Sequence, residues 1–100
     1  MKYSFAVVVP MANEANDFHP FVDSLIEVLN ILECGQVYFI VDMVSKDNTL
    51  ELCNTLSELD KRFVTIWAPE NKNVVDAYIK GYKEALRNKC KIIIEMDDGL

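Results

Sequence analysis

Two adjacent carboxylates, Asp97 and Asp98, are the residues of this 100-residue chain best suited to chemistry. They follow the run 92–94, whose β-branched side chains predict a strand that is buried on both faces. Ligands of open α/β sheets bind at the carboxyl ends of the strands. Paired carboxylates there suit a divalent cation or the hydroxyl groups of a sugar. The end of the chain therefore predicts a ligand site.

Two further polar positions also follow apolar runs. Pro10 closes the run 5–9 and leads into a loop that carries Glu14, and Asp42 ends a second apolar run. Proline cannot donate to a strand ladder, so the first strand is expected to close there. If these runs are parallel strands of one sheet, Glu14, Asp42 and Asp97 come together on one edge. This convergence is the main functional prediction.

Strands and helices alternate along the predicted chain. The strand-like runs lie at 4–9, 37–41, 62–67 and 92–94, and apolar residues between them recur at three- and four-residue steps, as in amphipathic helices. Such alternation predicts an α/β fold: one parallel Rossmann-like sheet in three α/β/α layers, with right-handed crossovers. The simplest strand order is 3-2-1-4, with strand three near an edge and the ligand crevice between strands one and four.

Some residues have structural rather than chemical interpretations. Gly81 lies within the third predicted helix, where glycine costs about 1 kcal/mol relative to alanine, so we expect that helix to pack closely against the sheet. Either Ser45 or Asp47 is expected to cap the second helix. Trp67 is interpreted as an anchor in the core or at an edge rather than as a platform for base stacking.

The composition bounds the class of protein. The chain is 51% hydrophobic and carries a net charge of −6, so it lacks the basic footprint of a nucleic-acid binder and a polybasic membrane patch. Its cysteines (Cys34, Cys53 and Cys90) are widely spaced and form no CxxC pair, which favours reduced thiols over disulfides or zinc. No apolar stretch approaches the ~20 residues of a membrane helix. We expect a cytoplasmic protein, with membrane association of a longer parent left open.

Several common chemistries are excluded by the loop 10–14. It has no glycine, so it is neither a GxGxxG dinucleotide fingerprint nor a phosphate-binding P-loop. The single histidine, His19, is not positioned for a catalytic triad. Without a glycine nest or a P-loop lysine, a phosphate group would have to be held through a cation that carboxylates coordinate.

Four segments in order resemble motifs of the family 2 glycosyltransferases of the GT-A fold. The run 7–14, Val-Val-Val-Pro-Met-Ala-Asn-Glu, resembles the opening VVIPxxNE of that family, and 41–49 is similar to its VDDGSTDGT. The segment 70–85 resembles its N-x-G…A…G…A helix, and 94–98 stands where the family carries its DxD motif. The resemblance spans the whole chain.

The resemblance implies a role for each matching position. Pro10, Ala12 and Glu14 would line the nucleotide pocket, and Asp42 would hydrogen-bond the base or ribose of a nucleoside diphosphate sugar. Asp97 would take the first DxD position, near the ribose or the metal.

The resemblance also implies a divalent metal, magnesium or manganese, that bridges the diphosphate and stabilises the leaving group. The third DxD position is Gly99, so Asp98 would have to join Asp97 as a metal ligand. Met43 and Val44 stand where the family has an aspartate and a glycine. A metal-independent donor site therefore stays open as an alternative.

We expect residues 1–100 to form one domain, the N-terminal nucleotide-sugar-binding half of a longer GT-A catalytic domain. The general base of an inverting member would lie beyond residue 100, so this chain would bind a UDP- or GDP-sugar without completing transfer. The alternative is a non-catalytic nucleotide- or partner-binding α/β module. Self-association through an uncovered fourth strand or helix face is a third outcome.

Overall fold

The computed structural model describes residues 4–11, 15–31, 35–42, 47–70 and 74–96. Its strands are β1 (Phe5–Met11), β2 (Gly35–Asp42), β3 (Phe63–Ala68) and β4 (Ile92–Glu95). Its helices are α1 (Phe18–Ile31), α2 (Thr49–Leu59) and α3 (Val74–Arg87), and a short 3-10 helix (Ala15–Asp17) leads into α1. The predicted alternation of strands and helices is confirmed.

The four strands form one parallel sheet in the order β3-β2-β1-β4. Val7 of β1 stands at the centre of the register, opposite Val37 of β2 on one side and Ile94 of β4 on the other. Phe63 of β3 is opposite Val37 in turn. The predicted order 3-2-1-4 is confirmed, and so is the position of the third strand at an edge.

Side chains of β1 alternate between two apolar layers, because successive residues of a strand point to opposite faces. Phe5, Val7, Val9 and Met11 pack in one buried cluster with α1 and with Cys53 of α2. Ala6 and Val8 pack in a second buried cluster with residues of α3. Two helices therefore cover one face of the sheet and one helix covers the other, as the three-layer prediction requires.

Small residues bring α3 close to β1. Ala77, Gly81 and Ala85 are all buried on the face of the helix that meets the sheet. A Cβ atom at Gly81 would overlap Cγ1 of Val8 and would lie 2.9 Å from its Cγ2. The close packing predicted at Gly81 is confirmed.

The fourth strand is less buried than its apolar sequence predicts. The side chain of Ile92 is 60% exposed and that of Ile94 is 37% exposed, so the prediction of burial on both faces is wrong. The reason is the winding of the chain. Among the described strands β4 is the outermost, and the described helices that cover the face of Phe5 and Val7 connect strands on the other side of β1.

Two polar networks lie at the end of the sheet where the parallel strands begin. Asp60 pairs with Arg62 at 2.7 Å between Oδ2 and Nη2, and Nη1 of Arg62 donates to Asn30 at the end of α1 at 3.0 Å. The hydroxyl of Tyr38 donates to Oε1 of Gln36 at 2.7 Å and accepts from Nδ2 of Asn88, after α3, at 2.8 Å. Both networks join residues that are distant in sequence.

The thiols of Cys53 and Cys90 are buried, and neither forms a disulfide within the described residues. Burial raises the pKa of Cys90 above its ordinary value, which favours the unreactive thiol form. Cys34 lies outside the described residues, so the reduced state of the three thiols stays a prediction.

Candidate functional site

The carboxyl ends of the strands meet at one edge of the sheet, which we call the carboxyl edge. Met11 ends β1 opposite Val41, and Asp42 ends β2 opposite Ala68, the last residue of β3. Because the strands are parallel, the segments that follow them all leave from this edge. The sheet thus brings together the strand ends that lead into two of the three predicted polar clusters, those of Glu14 and Asp42.

β1 lies at the point where the winding of the sheet reverses. Its neighbour β2 lies on one side and β4 on the other. The last register pair with β4 joins Val8 to Glu95, and the N–H of Met96 donates to the carbonyl of Val8 at 3.0 Å. β1 continues to Met11, three residues beyond its last described pairing with β4 at Val8. Such a reversal point is where open α/β sheets bind their ligands.

Only two of the predicted site residues lie within the described ranges, Pro10 and the backbone of Asp42. Pro10 lies in β1, partly buried and in register with Ile40. The backbone of Asp42 ends β2, while its side chain lies outside the described part of the structure. In sequence, Asp97 is the second residue after Glu95, as Pro10 is the second after Val8. The remaining predicted site residues lie outside the described ranges, so their roles stay predictions: Ala12, Glu14, Asp97 and Asp98.

The start of α2 faces the same edge and already holds a carboxylate. Oδ1 of Asp47 accepts the N–H of Thr49 at 3.0 Å and also the hydroxyl of Thr49, which is fully buried. The cap position itself is Asn48, whose side chain makes no cap hydrogen bond. The predicted cap at Asp47 is therefore one residue before the observed cap position. The other predicted cap, Ser45, lies outside the described residues.

This arrangement has an electrostatic consequence. The amino end of a helix attracts anions, and here the charge of Asp47 meets the first N–H of α2. A diphosphate that approached this helix would be repelled by that carboxylate unless a cation lay between them. The described residues hold no group of three or more acidic, histidine or cysteine side chains that could bind such a cation.

Trp67 lies at this edge, and the prediction that it anchors either the core or an edge strand is correct only for the edge strand. It lies next to the last position of β3, an edge strand, in register with Val41. Its side chain is 49% exposed, which an anchor of the core would not be. The signal for its location was the apolar run 62–67. Its indole is well placed to report on changes near Asp42.

A polar depression of roughly 270 Å³ lies between α3 and Glu70, which follows β3 in the chain. It is lined by Glu70, Asp76, Ile79, Lys80 and Lys83. Nζ of Lys80 lies 3.9 Å from Oε2 of Glu70, so opposite charges are balanced across it. Its described lining residues include neither Pro10 nor Asp42.

The sequence model of the family described as glycosyl transferase family 2 matches residues 6–98. The chain belongs to glycosyl transferase family 2. The matched range includes every strand of the sheet apart from the first residue of β1, and it contains every predicted site residue. Neither a curated protein nor a solved structure matches the chain.

Membership of glycosyl transferase family 2 agrees with the fold. The parallel sheet and its reversal at β1 match what the four sequence motifs imply. At the level of the family, the match supports a glycosyltransferase-type function and nucleotide-sugar binding in general. Among the described helices, none is both long and apolar enough to cross a membrane.

Proposed function

We propose that this chain binds a nucleoside diphosphate sugar at its carboxyl edge, as the donor site of a glycosyl transfer. The observation that carries the proposal is the reversal of the sheet at β1, which lies between β2 and β4 in a chain that belongs to glycosyl transferase family 2. The crevice of such a sheet opens at the carboxyl end of β1. Pro10 and the backbone of Asp42 lie there.

The nucleotide would bind on the side of β2. Pro10, Ala12 and Glu14 would line its pocket, and Asp42 would accept hydrogen bonds from the base or the ribose. A carboxylate suits this task because it offers two acceptor oxygens to neighbouring N–H or O–H donors. The proposal assigns this role to a residue whose backbone is in register with Ala68, beside the half-exposed Trp67.

The diphosphate would bind on the side of β4, with Asp97 and Asp98 as ligands of magnesium or manganese. When bound, such a metal neutralises the charge that develops on the leaving diphosphate. The carboxylate of Asp47 at the start of α2 supports the need for a cation, because it adds negative charge to the same edge. The property proposed for this chain is donor binding.

Titration with UDP-sugars and GDP-sugars, each with and without Mn²⁺, tests the proposal. The fluorescence of Trp67, the only tryptophan, provides the signal. We expect saturable binding at sub-millimolar to millimolar concentration, with an affinity that rises when Mn²⁺ is present. Binding that is equal with and without Mn²⁺ supports a donor site without a metal and removes the metal from the proposal.

Variants test whether a bound nucleotide sugar contacts the proposed residues. Asp42→Asn and Asp97→Asn should each weaken binding at least about tenfold, the effect of about 1.4 kcal/mol. Asp23→Asn removes an exposed carboxylate from the middle of α1 and serves as the matched control. If no nucleotide binds at millimolar concentration, or if Asp23→Asn weakens binding as much as Asp42→Asn, the donor-site proposal is wrong.

A further inference from the structure

The connection from β2 to α2 is held at both of its ends. At one end Asp42 is the last residue of β2, in register with Ala68 of β3. At the other end Oδ1 of Asp47 accepts the N–H of Thr49 at 3.0 Å and also the hydroxyl of Thr49. Residues 43–46 separate Asp42 from Asp47 and lie outside the described ranges. A short connection with two fixed ends has fewer conformations than one with a single fixed end.

Thr49 is a rigid point for this contact because its helix is fixed to the sheet. Thr49 and Cys53, about one turn apart on α2, are both fully buried. Ser57, a further turn along, shares a hydrogen bond of 2.6 Å with Thr65 of β3. Residues at four-residue steps lie on one face of a helix, so these three form the face of α2 that meets the sheet. Asp47 is therefore tied to a helix that cannot shift without disturbing the core.

The contact does more than cap the helix. A cap supplies one acceptor to a free N–H group, and Asp47 does this through the N–H of Thr49. The buried hydroxyl of Thr49 adds a second hydrogen bond to the same carboxylate oxygen. Asp47 itself is exposed, so without these two donors its side chain would turn freely in water. Two donors from one residue fix the point at which the chain that leaves β2 rejoins the described fold.

We propose that Asp47 and Thr49 are positioning residues of the donor site and act through Asp42. Their contact fixes the far end of the connection that leaves β2 at Asp42, and so it limits the directions that the Asp42 carboxylate takes up at the carboxyl edge. Neither residue touches the donor in this role. The inference rests on the proposed function, because it assigns the donor contact to Asp42.

Substitution of Thr49 tests the role without changing the charge of the edge. Thr49→Val removes the hydroxyl and keeps the branched shape, whereas Thr49→Ser keeps the hydroxyl and removes a buried methyl group. In the presence of Mn²⁺, Thr49→Val should weaken the binding of a UDP- or GDP-sugar at least about fivefold, the effect of one hydrogen bond. Thr49→Ser should bind within about twofold of the native chain, although the lost methyl group lowers its stability. A role in stability alone would leave both folded variants with the native affinity.

Thr55 provides the matched control in the same helix. Its hydroxyl also donates a hydrogen bond, to the carbonyl of Glu51 at 3.0 Å, and its side chain is exposed. Thr55→Val therefore removes a hydroxyl from α2 without altering the contact of Asp47 with Thr49. It should bind the donor within about twofold of the native chain. Urea unfolding and circular dichroism establish that each variant is folded under the conditions of the titration.

Hydrogen exchange of the native chain tests the same coupling without a variant. Because coupling between two sites is reciprocal, a contact that favours donor binding is itself favoured by the donor. Saturation with the donor should therefore slow exchange at the amide of Thr49, which donates to Asp47, and leave exchange at the amide of Thr55 unchanged.

Amide spectra without a donor separate this inference from the proposed function. The amide signal of Asp42 should shift in Thr49→Val and stay near its native position in Thr49→Ser and Thr55→Val. A native chain that binds no nucleotide sugar refutes the proposed function, and the signal of Asp42 then still shows whether Thr49 holds the connection. The positioning role is overturned by an unchanged signal of Asp42 in Thr49→Val, by native donor affinity in that variant, or by a Thr49→Ser variant that binds as weakly.

Discussion

Gly81 of α3 lies against Val8 of β1 with no space for a side chain between them. The contact sets the distance between the helix and the strand whose carboxyl end forms the candidate site. Val8 is also the last residue of β1 that pairs with β4, through Glu95. The same residue of β1 therefore carries the packing of α3 on one face and the end of β4 at its side.

Gly81→Ala should destabilise the chain even though alanine is the better helix former. The helix gains about 1 kcal/mol of intrinsic preference, but the new methyl group overlaps Val8, and overpacking of this kind costs about 1–3 kcal/mol. We expect a net loss on the order of 1 kcal/mol in the free energy of unfolding, measured in urea. Lys83→Ala, at an exposed position of α3, should change it by less than about 0.5 kcal/mol. A Gly81→Ala variant as stable as the native chain would contradict the packing.

Tyr38→Phe should destabilise the chain through loss of a buried hydroxyl. That hydroxyl joins Gln36 and Asn88, and its removal leaves Oε1 of Gln36 without this buried donor. The expected cost is about 1–3 kcal/mol in the free energy of unfolding. Tyr82→Phe is the matched control, because its hydroxyl makes no hydrogen bond within the described part of the chain and the change should cost little. Equal stability of the two variants would show that the network contributes nothing.

Asp60→Asn should change how stability depends on pH. The hydrogen bond from Arg62 lowers the pKa of Asp60, against an opposing effect of burial. A carboxyl whose pKa is lowered by folding contributes stability above its unfolded pKa of about 3.9, and this stability is lost as the pH falls through the folded pKa. The variant should be less stable than the native chain by about 1 kcal/mol at pH 7, and the difference should shrink below about pH 4.

Urea unfolding at several pH values between 3 and 7 measures this difference. Glu58→Gln removes an exposed carboxylate of α2 that has no basic partner in the described ranges, and it serves as the control. A native chain whose advantage over Asp60→Asn stays constant down to pH 3 would contradict the lowered pKa.

Local patterns in the sequence predicted the elements of this fold, and the simplest winding of a parallel sheet predicted their order. The apolar runs identified all four strands, and the reversal of the sheet at β1 followed from the simplest winding. The exposure of Ile92 and Ile94 could not be predicted in this way, because an apolar run shows that a strand forms and does not show what covers it. The contact of Tyr38 with Asn88 joins residues far apart in the chain, where no local pattern connects them.

For the candidate site, the sequence predicted which strand ends carry polar residues. The sequence placed Asp42 correctly at the end of β2. The predicted close of the first strand at Pro10 is wrong, because β1 pairs with β2 through Pro10 and ends at Met11. The sheet brings the ends of both strands to one edge. The engagement of Asp47 with Thr49 was not predicted in its observed form, because a cap and the residue before it have similar sequence preferences. The carboxylates expected to bind the donor remain predictions, since their positions depend on segments that follow the strands.

The most direct test of the donor site is a map of amide chemical shifts in ¹H–¹⁵N spectra during titration with a UDP- or GDP-sugar and Mg²⁺. We expect the amide signals of Met11, Asp42 and Met96 on the carboxyl edge to shift, and those of Asp60 and Asn88 at the opposite end of the sheet to stay unchanged. Shifts confined to the opposite end, or no shifts with any nucleotide sugar at millimolar concentration, would contradict the donor site.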